Sequence, residues 1–274
     1  MSMKLKPSVI SRQYYKRKWR KLCYKTVRLS GVRQKRVNGI NFSFDFSFSP
    51  YMNKIYHGLF EFTVQEVVKH FLSKGDVFVD VGANIGYISA IGAGEVGVSG
   101  EVHSFEPVPV YFEYLSLLSK LNPSHQLYLN NFALGEHEAA NKIDVGVNAN
   151  IGANSMIEGF VHEDMVAETI VVPTKRLDEY LEEKRTCPNF IKIDVEGYEL
   201  AVLKGASRYF EEGKNSLPPI LVEITPRVYR GPGMDISELE DYMFSWGYRS
   251  YSAFGRDRVD IKQLDCQTDI LFKQ

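Results

Sequence analysis

The 274-residue sequence contains no apolar run long enough to cross a bilayer; its longest uncharged stretch, Val81 to Gly94, is glycine-rich and too short. Disulfide and structural zinc frameworks are excluded as well. The three cysteines, Cys23, Cys187 and Cys266, are odd in number, lie far apart, and form neither a CxxC pair nor a cysteine–histidine cluster at zinc spacing. Such usage suits a reducing compartment, and the basic N-terminus lacks the apolar core of a signal peptide, so a cytoplasmic location is expected. The six histidines are scattered, with only His57 offering a base near a site entrance. No repeat or low-complexity tract occurs. Acid is missing altogether from residues 1 to 36, which hold thirteen of the 33 Lys and Arg residues; the remainder carries 20 basic against 34 acidic residues.

That asymmetry joins a basic appendage to an acidic domain. The expected boundaries are an arm at 1–40 and a folded domain at 41–274, for which 44% hydrophobic and 13% aromatic residues supply a sizeable core. Within the arm, Tyr15, Trp19, Leu22 and Cys23 fall on one helical face, with Lys16, Arg17, Lys18, Arg20 and Lys21 around the rest. A basic amphipathic helix of this kind can lie on the anionic inner face of a membrane as a peripheral anchor. It can equally dock its aromatic face on the acidic domain, and a nucleic-acid arm is a weaker third reading.

Next, "NFSFDFSFS" at 41–49 alternates Phe42, Phe44, Phe46 and Phe48 with small or polar residues, the period of an edge strand with one buried aromatic face. From residue 62 strands and amphipathic helices alternate: "VQEVVKHFLSK" helix, "DVFVDVG" strand, "GYISAIGAGEV" helix, "EVHSFEP" strand, "VYFEYLSLLSKL" helix, "QLYLNNFAL" strand. Parallel strands with helical crossovers follow from that order. The pattern pauses around 136–175, where "KIDVGVN" and "TIVVPT" read as short strands of an insertion flanking a polar loop. It resumes with "NFIKIDVEGYELAVLKGASRYF" as strand then helix and "PPILVEITP" as strand. A helix and two strands with no helix between them end the chain, so an antiparallel final pair is expected.

Asp80 closes its strand, and Gly82, Asn84 and Gly86 form the turn into the next helix, where a doubly wound sheet binds nucleotides. A pyrophosphate needs glycine at the second place of that turn so that backbone can approach, and Asn84 stands there. An adenosine cofactor without phosphates, S-adenosylmethionine, fits better. Glu106, closing the second strand, can accept hydrogen bonds from both ribose hydroxyls. Gly82→Val is expected to abolish cofactor binding while leaving the unfolding transition largely in place.

The blocks "VFVDVGANIGYIS", "GEVHSFEPVP", "NNFALGE" and "IKIDVEGYELAVLKGA", supported by "GLFEFTVQEVV" and "RLDEYL", resemble the FkbM-type S-adenosylmethionine-dependent methyltransferases over roughly residues 53 to 225. The resemblance implies a class I methyltransferase fold, α/β and Rossmann-like, doubly wound and mostly parallel with an antiparallel final strand. It also implies O-methyl transfer, often to a sugar hydroxyl of a glycan, lipid-linked saccharide or secondary metabolite. Carried onto these positions, it assigns Asp80, Gly82, Asn84 and Gly86 to the methionine and ribose portions, Glu106 to the ribose, Asn131 to the adenine edge, and Glu61 to the amino-acid portion. Asn131 can also be a turn residue bonding its own backbone, and Glu61 an exposed acid at a helix start.

Asp194 and Glu196 in "IKIDVEG" end a strand at the same sheet edge. One of them can take the acceptor hydroxyl proton, the pair can hold a divalent cation, or Glu196 can cap the following helix. The metal role ranks last, since no further carboxylate cluster is evident, and no metal is expected. Glu223, closing "ILVEI", is the third catalytic candidate or a satisfied strand-end acid. A nucleic-acid methyltransferase would suit the basic arm, but the Asp/Asn-Pro-Pro-aromatic tetrapeptide of amino-methylating DNA enzymes is missing. A non-catalytic membrane adaptor would show a broken cofactor turn, and this turn is intact.

Overall fold

The computed structural model describes residues 20, 21, 24, 29–146, 154–157, 162, 165–213, 216–230 and 235–274. Tyr15, Trp19, Leu22 and Cys23, the face of the expected amphipathic helix, lie outside them. A hairpin comes first: β1 (Val32–Val37) pairs antiparallel with β2 (Ile40–Asp45) through Asn38–Gly39, both at positive φ, 51° and 89°. Two successive left-handed residues make the tight turn that matches strand twist. The hairpin therefore crosses the expected arm boundary at residue 40. In β2, Ile40, Phe42 and Phe44 are buried while the intervening residues are not, so the aromatic face is the inner one. Phe46 and Phe48 lie past the end of the strand, partly buried against the core.

Helices α1 (Tyr51–Tyr56) and α2 (Phe62–Phe71) lead into β3 (Val77–Val81), α3 (Tyr87–Val96), β4 (Glu101–Phe105), α4 (Pro109–Leu121) and β5 (Gln126–Asn130). Then follow β6 (Ala133–Leu134), β7 (Ala139–Gly146), β8 (Asn154–Ser155) and β9 (Val166–Lys175), which form a separate four-stranded sheet in the order β6-β9-β7-β8. The two long strands of this sheet pair along most of their length. The chain returns through α5 (Leu177–Lys184), β10 (Phe190–Ile193), α6 (Glu199–Lys204), α7 (Ser207–Glu212), β11 (Ile220–Ile224), α8 (Ile236–Ser245), β12 (Arg249–Ser252) and β13 (Thr268–Lys273). The single helix expected after "IKIDVEG" is two. Gly205, between them, packs so closely that a Cβ there would meet the Gly135 carbonyl oxygen at 2.1 Å.

The main sheet has seven strands in the order β12-β13-β11-β10-β3-β4-β5. β10, β11, β3, β4 and β5 are mutually parallel, and β13 runs antiparallel to both β11 and β12. Strand alternation sorts the core into two layers. Phe78, Val102, Phe190 and Leu221 point to the face covered by α2, α3 and α4, whereas Val79, Val81, Ile191, Ile193 and Val222 point to the face covered by α5 to α8. The order reverses between β3 and β10, so a crevice opens beyond their carboxyl ends, where doubly wound folds bind ligands.

Candidate active site

Asp80 and Lys192 are the charged residues of two otherwise apolar strands, and they are direct register partners across β3 and β10. Both are buried. Lys192 Nζ stands 3.3 Å from Asp80 Oδ1 and 3.2 Å from Asp194 Oδ2, and donates to the Gly82 carbonyl at 3.0 Å. The other Asp80 oxygen accepts from the Ser89 hydroxyl of α3 at 2.6 Å, and Ser89 in turn meets Ser104 of β4. This polar row ties three strand ends to one helix. Burial works against the Lys192 charge, yet Asp194, Asp80 and Glu61 together raise its pKa. Asp80 thus underlies the cofactor turn and does not line the crevice. Lys192, which the motifs do not single out, does line it.

The crevice is a cavity of about 510 Å³, within the usual range for small-ligand sites. Gly82, Asn84, Glu106 and Glu61 line it. Gly82 has φ +74°, and a Cβ there would meet the Asp194 backbone oxygen at 1.8 Å, so glycine allows β3 and β10 to close on each other. Asn84 is left-handed at φ 52° and its amide N–H donates to Glu106 Oε2 at 2.8 Å; the Val108 N–H donates to Glu106 Oε1 at 2.9 Å. Burial pushes the Glu106 carboxyl up to about 7, against the pull of those two amides. A carboxylate has about four acceptor positions, so two remain for vicinal hydroxyls.

Gly86 and Asn131 sit elsewhere. Gly86 caps α3 at φ 85° against Leu115 of α4, behind the cavity wall. Asn131 is exposed, and its side-chain amide donates to the Glu106 and Pro107 carbonyls, holding the loop rather than a base edge. Phe132 and Ala133, immediately after it, line the cavity, as do Pro107 and Val108, giving it apolar walls there. His57 also falls outside the lining, its ring set edge-on to Tyr24 and Tyr56.

Asp194, Glu196 and Glu223 all line the cavity and bring one oxygen each within 4.8 Å of one another. That convergence corrects the expectation that no carboxylate cluster exists: Glu223, on the neighbouring parallel strand, completes what the D-x-E pair begins. Protons or a divalent cation can relieve such crowding. Burial, and then the Asp194 charge, hold Glu196 and Glu223 well above the usual carboxylate range. Glu61, left-handed at φ 44° and half-buried at the start of α2, is raised by the same two causes.

Glu196 is itself left-handed at φ 51°, followed by Gly197 at 105°, a strained pair that points to function. Its conformation is clamped from both sides. The Ser155 hydroxyl, from the inserted sheet, donates to the Glu196 carbonyl at 2.6 Å. The Gly197 N–H donates to buried Glu199 at 2.8 Å, and the Tyr229 hydroxyl donates to the other Glu199 oxygen at 2.9 Å. No side chain caps α6, so Glu196 is not its cap.

A seven-stranded sheet in this order, with a glycine turn after its first strand and a buried acid after its second, is a Rossmann-like doubly wound frame for an adenosine cofactor, and the family model that matches it makes it a methyltransferase. More particularly, the chain belongs to the methyltransferase FkbM domain family, which it matches over residues 80–250. It is 30% identical over 164 residues to the hexuronic acid methyltransferase AglP of Haloferax volcanii, a match covering 58% of this chain and 62% of AglP. The chain thus spans less than two thirds of that relative. Among solved structures it is similar to Aeropyrum pernix fibrillarin with natively bound S-adenosyl-L-methionine, at 14% identity and TM-score 0.41, over 90% of this chain and 84% of that one. A TehB-like methyltransferase from Corynebacterium glutamicum matches at 10% identity and TM-score 0.41, over 82% and 94%.

S-adenosylmethionine is the cofactor of this class, and the donor set fits it: an acid with free acceptor positions for the ribose, apolar walls for the base, and acids facing a cationic head. Among the described residues no helix is long and apolar enough to cross a membrane.

Proposed function

We propose that the protein transfers a methyl group to a sugar hydroxyl, with Asp194 as the base that takes the hydroxyl proton and Glu196 and Glu223 as the groups that position the acceptor. The convergence of these three carboxyls at the ends of β10 and β11, beside the cofactor turn, carries the reading. When bound, the cofactor supplies an electrophilic methyl on a sulfonium. Asp194, paired with Lys192, accepts the acceptor proton as the new carbon–oxygen bond forms. Glu223 keeps its proton, because burial and the Asp194 charge hold it there, and so can donate a hydrogen bond. Glu196, in a left-handed backbone conformation, also lines the cavity and is given the positioning role beside it. Displacement at a methyl group needs alignment above all. The name of AglP, a hexuronic acid methyltransferase, supports a saccharide acceptor.

Calorimetry with S-adenosylmethionine and NAD, then transfer of labelled methyl to uronic acid and neutral saccharides, tests the reading. The protein should bind S-adenosylmethionine and ignore NAD. Asp194→Asn should keep most cofactor affinity and lose about 10²- to 10⁴-fold in rate, with smaller losses for Glu196→Gln and Glu223→Gln. Normal turnover by all three variants would remove the base assignment. Loss of activity on chelation, restored by magnesium, would reassign the carboxylates to a cation.

A further inference from the structure

The amino-acid head of the cofactor carries an ammonium and a carboxylate, and the carboxylate must enter a cavity lined by Glu61, Asp194, Glu196 and Glu223. The Asp194 charge repels it unless a cation meets it. Along the strand ends, the family resemblance gives Glu106 at β4 to the ribose, and the apolar lining of Pro107, Val108, Phe132 and Ala133 would then take the base. The head then falls on the β3–β10 side, beneath the wall formed by residues 51–61. That wall contributes one acid, Glu61, and one cation, Lys54.

We propose that Lys54 recognises the carboxylate of the cofactor's amino-acid head while Glu61 meets the ammonium beside it; the proposal rests on the cofactor assignment above. Lys54 sits in the last turn of α1, half-buried, with Nζ 5.8 Å from the Tyr51 ring centroid and 5.6 Å from that of Phe60. Both rings also line the cavity. Cation–π contacts hold an ammonium in place without neutralising it. Among the described residues no carboxylate forms an ion pair with Lys54, so its charge is available to a ligand. The other lining cations are committed elsewhere. Lys192 is held by Asp80, Asp194 and the Gly82 carbonyl, and Arg227 acts on Glu196 at the acceptor end. Arg20 donates to the Gly58 carbonyl and does not line the cavity.

A lysine in the last turn of a helix also steadies the helix dipole, so the test must separate recognition from stability. Full-length protein and Lys54→Met, which keeps the aliphatic stem, are titrated by calorimetry with S-adenosylhomocysteine and with its analogue lacking only the carboxylate. Lys54→Met should weaken S-adenosylhomocysteine about tenfold or more, the scale of one charge-assisted contact. It should bind the carboxylate-free analogue within about threefold of the parent, and Lys54→Arg should recover part of the loss. Unchanged S-adenosylhomocysteine affinity in Lys54→Met overturns the proposal. Equal losses on both ligands also overturn it, by marking a structural role. A parent chain that binds neither ligand removes the cofactor assignment and this inference together.

Discussion

Asp80 and Lys192 show why a charged side chain can sit inside an apolar strand. Both are buried, and each is acceptable because the other is its register partner, with Asp194 and the Gly82 carbonyl also meeting Lys192. Removing one partner leaves an uncompensated buried charge, which costs about 3–5 kcal/mol. Lys192→Met should therefore lower the free energy of unfolding by about that amount in denaturant titration, and adding Asp80→Asn should recover part of it. A single variant as stable as the parent would mean the pair contributes little. Gly82 belongs to the same level of cause. The expectation that Gly82→Val would strike cofactor binding alone fails, since the added Cβ would collide with the Asp194 backbone and disturb the junction of two central strands. Glycine there serves the closure of β3 on β10, and only through it the cofactor turn.

At the scale of elements, the decisive unit is the turn from β10 into α6. Its two left-handed residues hold Glu196 toward the cavity, and Glu199 and Ser155 hold the turn. A hydrogen bond of this kind contributes about 0.5–1.5 kcal/mol, roughly a 2- to 10-fold change in a local opening equilibrium. Glu199→Ala should raise hydrogen exchange at the Gly197 amide by that factor while core amides of β3 stay protected; an unchanged Gly197 amide would dissolve the clamp. Burial pushes Glu199 up to about 7, so Glu199→Gln, which keeps an accepting oxygen, should exchange like the parent.

Much of this level was legible in the chain. The acids at strand ends, Glu106, Asp194 and Glu223, declare themselves because period-two alternation shows where each strand stops. Lys192, Glu199 and Tyr229 do not, because their roles come from cross-strand register and from a tertiary bond between distant segments. The hairpin is legible in turn chemistry and not in charge: Asn38–Gly39 is a strong turn signal, whereas the charge asymmetry puts the arm boundary at residue 40. Asn131 was misplaced for a related reason, since its position after β5 is that of a base-facing residue while its amide is taken by the neighbouring loop.

For the whole molecule, the crowding of acids into one crevice sets the pH dependence of stability. Burial raises Glu106 and Glu199 to about 7 and Asp269 to about 6, from ordinary values of 4.5 and 3.8. Between those limits the folded chain keeps protons that the unfolded chain has released, so each group's stabilisation is full below its unfolded pKa and is lost as pH rises through the folded value. Asp45 and Asp178 act oppositely. Hydrogen bonds from Ser47 lower Asp45, and the bond to Arg176 lowers Asp178 despite burial, so their stabilisation is present above 3.8 and is lost as pH falls through their lowered values. The ligand-free protein should therefore melt at progressively lower temperature from pH 5 to pH 8. S-adenosylhomocysteine should flatten that decline, because its hydroxyls and ammonium favour the ionised Glu106 and Glu61 that burial opposes; its thermal shift should be larger at pH 8 than at pH 5.5. Melting curves across that range decide the matter: a ligand-free protein whose melting temperature rises from pH 5 to pH 8 would show that these acids do not hold their protons in the folded state.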